Sequence, residues 1–512
     1  MPDSGELNML EQVFLVKQDV EKYRMLTVIK SLPPQELNLS NISNRMQFTY
    51  QKTYNIFQAL LEDIMEVAPD MDPKVTKIES IDFSKIAIDT YRLYLVQNSI
   101  FFQAFNYGLT NANPSFEAFS NEHFTSKSTL NRRMSAFRSF LKNFGLKISN
   151  STLEIKGDEK SIRWMVYFVY WYIYHGQEWP FKLIKQDDID DIIDRSGKTF
   201  SNPITYIQLE YFLAISRIRL TKRNYINNMS KYNDVFGNQK LGEDVLRRED
   251  YSIVPIDALD NENKLLNLFH KMVFQPSAEI YAQPMNFDVR INSKFYALVY
   301  HFIDFLKEHY RDDMTVYHNQ KVLKDIMTYV SRDIIFYYIM ANDGTVRGSY
   351  YDKNPEDTKS LSSLYQNILE FFTSIDEKEY HGVYNGAEAI AHDLYQILPS
   401  YINTIQKEDY IHVKVLVDPG NAAEEVVLRN VRTLEFVQVV PSDQYEDVDV
   451  LISTLDIMPR DYELELYPKN MQVIPWNITN TRTDYIWLLV RLNQVYVDKL
   501  KARDADKKKA KK

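Results

Sequence analysis

The 512-residue chain contains no cysteine. That absence excludes a disulfide framework, a thiolate zinc site, an iron–sulfur cluster and a cysteine nucleophile, and it fits a reducing compartment. Glycine and proline are sparse, at 13 and 18 residues, so long fibrous or disordered stretches are not expected and helix should dominate. Long apolar runs are missing as well. The longest, Trp164 to Tyr174, falls well short of the roughly 20 residues that cross a bilayer and reads as a buried helix, so no membrane partner is expected. The opening residues lack a basic region followed by an apolar core and a small-residue cleavage site, so a cytoplasmic location is expected.

Enzyme motifs are absent too. The sequence has no phosphate-binding glycine loop, no serine-centred elbow and no histidine pair at helix spacing with a carboxylate. His301 and His309 lie too far apart for one metal on adjacent turns, and the run Asp187-Asp188-Ile189-Asp190-Asp191 reads as solvated charge near a helix start. No catalytic residue, metal or cofactor is assigned, and the chain is read as a non-enzyme.

What remains is an ordinary globular composition, 45% hydrophobic and 25% charged, with a formal charge of −10. The length implies about three to five domains. Within this acidic chain, His123 to Leu153 holds six basic residues, Lys127, Arg132, Arg133, Arg138, Lys142 and Lys147, and no Asp or Glu. Local clustering matters more for nucleic-acid binding than total charge.

Periodicity predicts helices over residues 10 to 66, broken at Leu32-Pro33-Pro34. Ser40 is expected to cap a short helix through Gln47. Thr49 is expected to cap a longer one carrying Phe57, Leu60, Leu61 and Ile64 inward, with Tyr50, Gln51, Lys52 and Asn55 outward. This is a helix-turn-helix pattern, although any small helical hairpin gives the same spacing. Residues 82 to 109 read as a further helix. After Asn111-Ala112-Asn113-Pro114, a short helix from Ser115 to Glu122, a turn at His123-Phe124-Thr125 and a long helix from Ser126 to Gly145 follow. Leu130, Met134, Phe137, Leu141 and Phe144 form its core stripe, and Ser128, Asn131, Arg132, Ser135, Arg138 and Lys142 its polar face. Leu146, Ile148, Leu153 and Ile155 alternate around Asn150-Ser151 as a hairpin would. Helix-turn-helix followed by hairpin is the winged-helix plan. Lys127, Ser128, Thr129, Asn131, Arg132 and Arg133 are the expected groove contacts; Arg138, Lys142 and Lys147 are expected on phosphates, and Tyr50, Gln51 and Lys52 in the first module.

Beyond Gly157 the chain reads as helical for some 240 residues, with a polar stretch around Ser230 to Asn263 and a junction near Gln283-Pro284. From about Asp409, the runs VKVLVDP, FVQVV, VDVLIS and VQVIPW predict a parallel sheet. A helix from about Thr481 to Leu500 and a disordered lysine-rich tail close the sequence.

The run SFEAFSNEHFTSKSTLNRRMSAFRSFLKNFGLKISNSTLEIKGDEKSIRWMVYFVYW resembles the signature of the Mga-type virulence regulators of Gram-positive bacteria, which include the AtxA-like proteins. Its diagnostic features are Ser126-Lys127-Ser128-Thr129-Leu130, Arg132-Arg133, Phe144-Gly145-Leu146, the wing, and Gly157-Asp158-Glu159 leading to Ile162-Arg163. The resemblance implies a mainly α multidomain fold. Its parts are a helix-turn-helix at 1–70, a winged helix-turn-helix at 71–160, two helical phosphotransferase-regulation (PRD-like) domains at 161–283 and 284–405, an α/β EIIB-like domain at 406–500, and a basic tail at 501–512. It further implies a homodimeric transcription regulator, an activator, acting on double-stranded promoter DNA and linked to a phosphotransferase-system phosphocarrier protein. Its candidate phosphohistidines are His270, His301 and His392. Where relatives carry a histidine after the arginines of the first regulatory domain, this chain has Lys222-Arg223-Asn224, and the Val417-Asp418-Pro419-Gly420 loop lacks the cysteine of a working EIIB phosphocarrier. A phosphotransferase-linked phosphocarrier and an RNA-binding antiterminator are the alternatives; the missing cysteine opposes the first and the helical start opposes the second.

Overall fold

The computed structural model describes residues 13–68, 78, 81–197, 200, 202–236, 244–270, 293–310, 319–340, 363–403, 405, 407–417, 423–441, 446–453, 468, 471–476 and 482–510. The chain divides into two compact units, one of residues 1–303, 324–353 and 371–394 and one of 304–323, 354–370 and 395–512. The expected junction at Gln283-Pro284 and the loop residues Asp418-Pro419-Gly420 lie outside the described residues.

Helix α1 (Lys17–Ser31) ends ahead of Pro33-Pro34, and α2 (Leu39–Met46) and α3 (Tyr50–Val67) follow. The cap of α2 is Asn38 rather than the expected Ser40: its Oδ1 accepts from the Asn41 amide at 2.9 Å. Asn38 takes extended backbone angles, as a cap must, whereas Ser40 is already inside the helix. Gln47 closes α2 in the left-handed region, and Thr49 caps α3 as expected, accepting from the Lys52 amide at 3.3 Å. Phe57, Leu60, Leu61 and Ile64 are buried. Asp63 of α3 accepts from Lys22 of α1 and, at 2.6 Å, from the hydroxyl of Tyr91 in the next helix, so one carboxylate ties three elements.

The single helix expected over 82 to 109 is two, α4 (Ile88–Asn98) and α5 (Ile100–Thr110). Ser99 ends one and caps the other, its hydroxyl accepting from the Phe101 amide and donating to the Phe14 carbonyl. Phe14 packs against Phe102, Phe105 and Phe137, with ring centroids 5.5–6.0 Å apart. Phe14 thus enters the aromatic core of the second module, formed by α6 (Phe116–Glu122), α7 (Lys127–Arg133), α8 (Ser135–Lys142), β1 (Lys147–Ile148) and β2 (Ile155–Lys156).

Helix α9 (Glu159–Tyr174) contains the apolar run and is buried along most of its length, as the sequence predicts; no described helix is long and apolar enough to cross a membrane. It packs on α11 (Pro203–Thr221), which follows α10 (Gln186–Arg195). Next come α12 (Ser230–Phe236) and α13 (Ile256–Leu268), so the polar stretch around Ser230 to Asn263 contains helices after all. Buried Asn263 holds the intervening chain, accepting from the Val245 and Leu246 amides at 2.9 and 2.8 Å. At the centre, the fully buried Arg163 of α9 forks onto Glu262 of α13, bonds Glu159 at 3.1 Å and donates to the Asn224 carbonyl at 3.1 Å; Arg219 of α11 adds a two-pronged pair with Glu159 at 2.9 and 2.7 Å. Two guanidinium groups and two carboxylates balance in a site where an unpaired charge would cost several kcal/mol, on the order of 3–5.

The remaining helices are α14 (Ser293–His309), α15 (Gln320–Met340), α16 (Ser363–Ser374), α17 (His381–Asn385) and α18 (Ala387–Ile397). His270 and His392 are buried, 2% and 6% exposed, whereas His301 is exposed on α14.

The C-terminal part forms the expected parallel sheet. β3 (Ile411–Leu416), α19 (Ala423–Val431), β4 (Val437–Val439), β5 (Val450–Ser453), β6 (Gln472–Pro475) and α20 (Arg482–Ala510) give the strand order β4-β3-β5-β6, all pairs parallel. Val413, Val415, Val450 and Ile452 pack with Val427 and Val431 of α19 and Leu488, Leu492 and Val495 of α20. The tail expected to be disordered is helical to Ala510. Lysine, alanine and arginine are good helix formers, and Arg503 pairs with Asp409, anchoring the extension beyond Leu500.

Candidate nucleic-acid interface

The second module is built on a short, well-capped α6. The Ser115 hydroxyl accepts from the Ala118 amide at 3.3 Å, and Phe116 and Phe119 point inward. Two contacts close the turn: the His123 ring lies 4.2 Å from that of Phe119, and the Thr125 amide donates to the Ser120 carbonyl at 3.0 Å. Phe124 sits at its apex in the left-handed region, φ 49°, with its side chain 98% exposed.

The long helix expected from Ser126 to Gly145 is interrupted. Met134, with ψ near 5°, separates α7 from α8, while the amides of Met134 and Arg138 still donate to the carbonyls four residues earlier. The whole apolar stripe is nevertheless buried, Leu130, Met134, Phe137, Leu141 and Phe144 each being at most 2% exposed, and Phe140 joins it. Sequence periodicity could find the stripe because a small bend preserves its side; the bend itself lies in the local backbone angles of Met134.

The hairpin is shorter than expected, with two-residue strands in the register Lys147↔Lys156 and Ile148↔Ile155. Ile148 and Ile155 face the core, and Lys147 and Lys156 face solvent. Leu153 lies in the loop, turned inward at φ 62° and 1% exposed. The wing is seated from two sides: the Ser151 carbonyl accepts from the Phe116 amide at 2.8 Å, and the Leu153 carbonyl lies where a Cβ on Gly108 would come within 2.2 Å. Only a glycine admits that approach.

Several of the residues singled out from the sequence in this module are exposed. Ser128 and Arg132 on α7, Lys142 on α8 and Lys147 on β1 are exposed, and Asn131 is half-buried. Lys127, Thr129 and Arg133 lie on α7, their side chains outside the described set. Arg138 departs from its expected phosphate role: its guanidinium donates to the Asn131 carbonyl at 2.7 Å, to Asn131 Oδ1 at 2.6 Å and to Asn150 Oδ1 at 3.0 Å, joining α7 to the wing. Lys156 and Phe124 were not singled out. Strand register is the signal for Lys156, since it places two like charges directly opposite, which is unfavourable until an anion sits between them; for Phe124 the sequence offers none.

In the first module, Tyr50 and Tyr54 are exposed, at 56% and 43%, and Gln51 bonds Asn55 at 3.1 Å. Lys52, expected to face outward, is half-buried, paired with Glu21 of α1 at 2.7 Å and lying 3.4 Å over the Phe48 ring. The long lysine stem reaches back across the helix because a carboxylate and an aromatic face are both within range.

The family model described as the Mga helix-turn-helix domain matches residues 85–170, which run through α4–α8, the wing and most of α9. No curated protein matches the chain. Residues 85–170 thus carry an Mga helix-turn-helix domain.

Proposed function

We propose that the chain is a transcription activator that binds promoter duplex DNA through α7 and the wing. The observation that carries this reading is the acid-free run from His123 to Leu153, with Arg132, Lys142 and Lys147 exposed, within the segment that matches the Mga helix-turn-helix domain. Lysine and arginine neutralise phosphates and release counterions, while Ser128, Asn131 and Arg132 supply groups that read base edges. Lys142, Lys147 and Lys156 take the backbone, and Tyr50 and Gln51 of the first module assist. The protein works in the cytoplasm as a homodimer, which sets two DNA modules on neighbouring sites. In support, Ile486, Trp487 and Val490 form an exposed apolar strip on α20, each at least 58% exposed. A phosphocarrier protein of the phosphotransferase system adjusts activity through His301, the exposed member of the three candidate histidines; His270 and His392 are buried and need local opening to react.

The test is a salt titration of binding to promoter-length duplex DNA with the wild type and an Arg132→Ala, Lys147→Ala double variant of confirmed fold. The expected result is weaker binding with a shallower slope, by about 0.9 for each phosphate that the variant no longer neutralises. Unchanged affinity and slope in the variant would move the DNA contact away from the winged module.

A further inference from the structure

We propose that Arg138 is a positioning residue that sets the base preference of Asn131, making it a hydrogen-bond donor suited to guanine rather than a bidentate reader of adenine. This rests on the reading that the α7 and wing face takes duplex DNA.

Arginine has only donors, so whichever amide atom faces it at hydrogen-bond distance must be oxygen. The Arg138 guanidinium therefore fixes the orientation of two side-chain amides. Asn131 Oδ1 accepts at 2.6 Å and Asn150 Oδ1 at 3.0 Å, and a third bond goes to the Asn131 main-chain carbonyl at 2.7 Å. That carbonyl belongs to the last turn of α7, where a helix end leaves acceptors short of partners. The two bonds to Asn131 span the break at Met134, and the third clamps the loop of the wing to the helix.

The consequence for recognition is chemical. An asparagine that reads adenine accepts from N6 through Oδ1 while donating to N7 through Nδ2. In this protein Oδ1 is already held by a charged donor, which makes it a poor second acceptor, and Nδ2 has no partner among the described residues. Guanine presents two acceptors, N7 and O6, on its major-groove edge, and these match the donor that is left. Arg138 itself, with its guanidinium turned inward across three bonds, contributes no phosphate contact.

The experiment uses the full chain in two readouts. Bound sequences are selected from a random duplex pool, and affinity for a mixed-sequence duplex is titrated with salt. Asn131→Ala identifies the position that residue 131 reads, as the one whose preference disappears. At that position the wild type should select guanine, and Arg138→Ala should shift selection toward adenine with weaker binding but an unchanged salt slope. Asn150→Ala, which leaves the Arg138–Asn131 pair in place, should keep guanine. If Arg138→Ala does not fold, Arg138→Met serves: it keeps the apolar stem but not the donors, and the same shift toward adenine is expected. A slope shallower by about 0.9 with the base preference intact would place Arg138 on a phosphate and overturn the proposal. Guanine retained in Arg138→Met would overturn it equally. A wild type that binds no duplex would instead fail the DNA-binding reading beneath it.

Discussion

The first helical module, α1–α3, and the Mga helix-turn-helix segment are built from similar parts and use their charge in opposite ways. In the first, the cation at the start of the second helix is turned back into the protein, Lys52 onto Glu21 and the Phe48 ring, and Lys22 is paired with Asp19 and Asp63. In the second, no acid lies between His123 and Leu153, and Arg132, Lys142, Lys147 and Lys156 stay exposed. A basic residue near a recognition helix is therefore informative only together with the carboxylates that its fold brings within reach. The first module is held by internal ion pairs, while the second keeps a field that an outside polyanion can use.

The largest effect should come from the support beneath the second module. Arg163→Ala leaves Glu262 without its buried partner, while Glu159 keeps Arg219, and should destabilise by about 3–5 kcal/mol. Denaturant unfolding would show this, and a change below about 1 kcal/mol would mean that the network contributes little. Lys22→Ala, at the corresponding place in the first module, should cost less because its Asp63 partner keeps a bond from Tyr91.

Gly108→Ala should come next, at about 1–3 kcal/mol, because a Cβ there collides with the Leu153 carbonyl. If the wing matters to DNA, this variant should also bind more weakly than an equally destabilised variant of the first module. Equal affinities would erase the distinction between the modules.

Single lysines give a sharper and smaller contrast. Lys147→Ala should reduce the salt slope of DNA binding by about 0.9, whereas Lys52→Ala should leave it unchanged and cost about 0.2–1 kcal/mol of stability as a partly exposed pair. A reduced slope for Lys52→Ala would return that residue to the DNA face.

The last effect lies outside both modules and serves as a control on them. Burial pushes the Glu210 carboxyl on α11 up to about 7, with Asp190 close by adding to the shift and the Gln186 amide opposing it. A folded-state value above the unfolded one of 4.5 means that the folded protein holds the proton more tightly. The associated stability is complete below about pH 4.5 and is lost as pH rises through 7. Glu210→Gln should flatten stability between about pH 5 and 8; a wild-type profile already flat across that window would mean that no such proton is held.

Much of this was legible in the sequence because periodicity reports burial. The stripe Leu130–Met134–Phe137–Leu141–Phe144 and the four valine-rich runs follow directly from which side chains must leave water. Caps and breaks were less legible: Asn38 replaced Ser40, Ser99 split one helix into two, and Met134 bent another, each decided by local backbone geometry that several residues could satisfy.

The sequence alone determined the order of helices and sheet, the acid-free basic segment and the exclusion of thiol chemistry, since composition and spacing suffice for these. Only the tertiary structure decided that Lys52 is paired internally, that Arg138 grips Asn131 and Asn150, that Lys156 stands opposite Lys147, and that His301 is exposed while His270 and His392 are buried. The physical reason is that a side chain's charge and donors act on whatever the fold brings within a few ångströms. For Lys52 and Glu21, or Arg163 and Glu262, those partners lie far away along the chain.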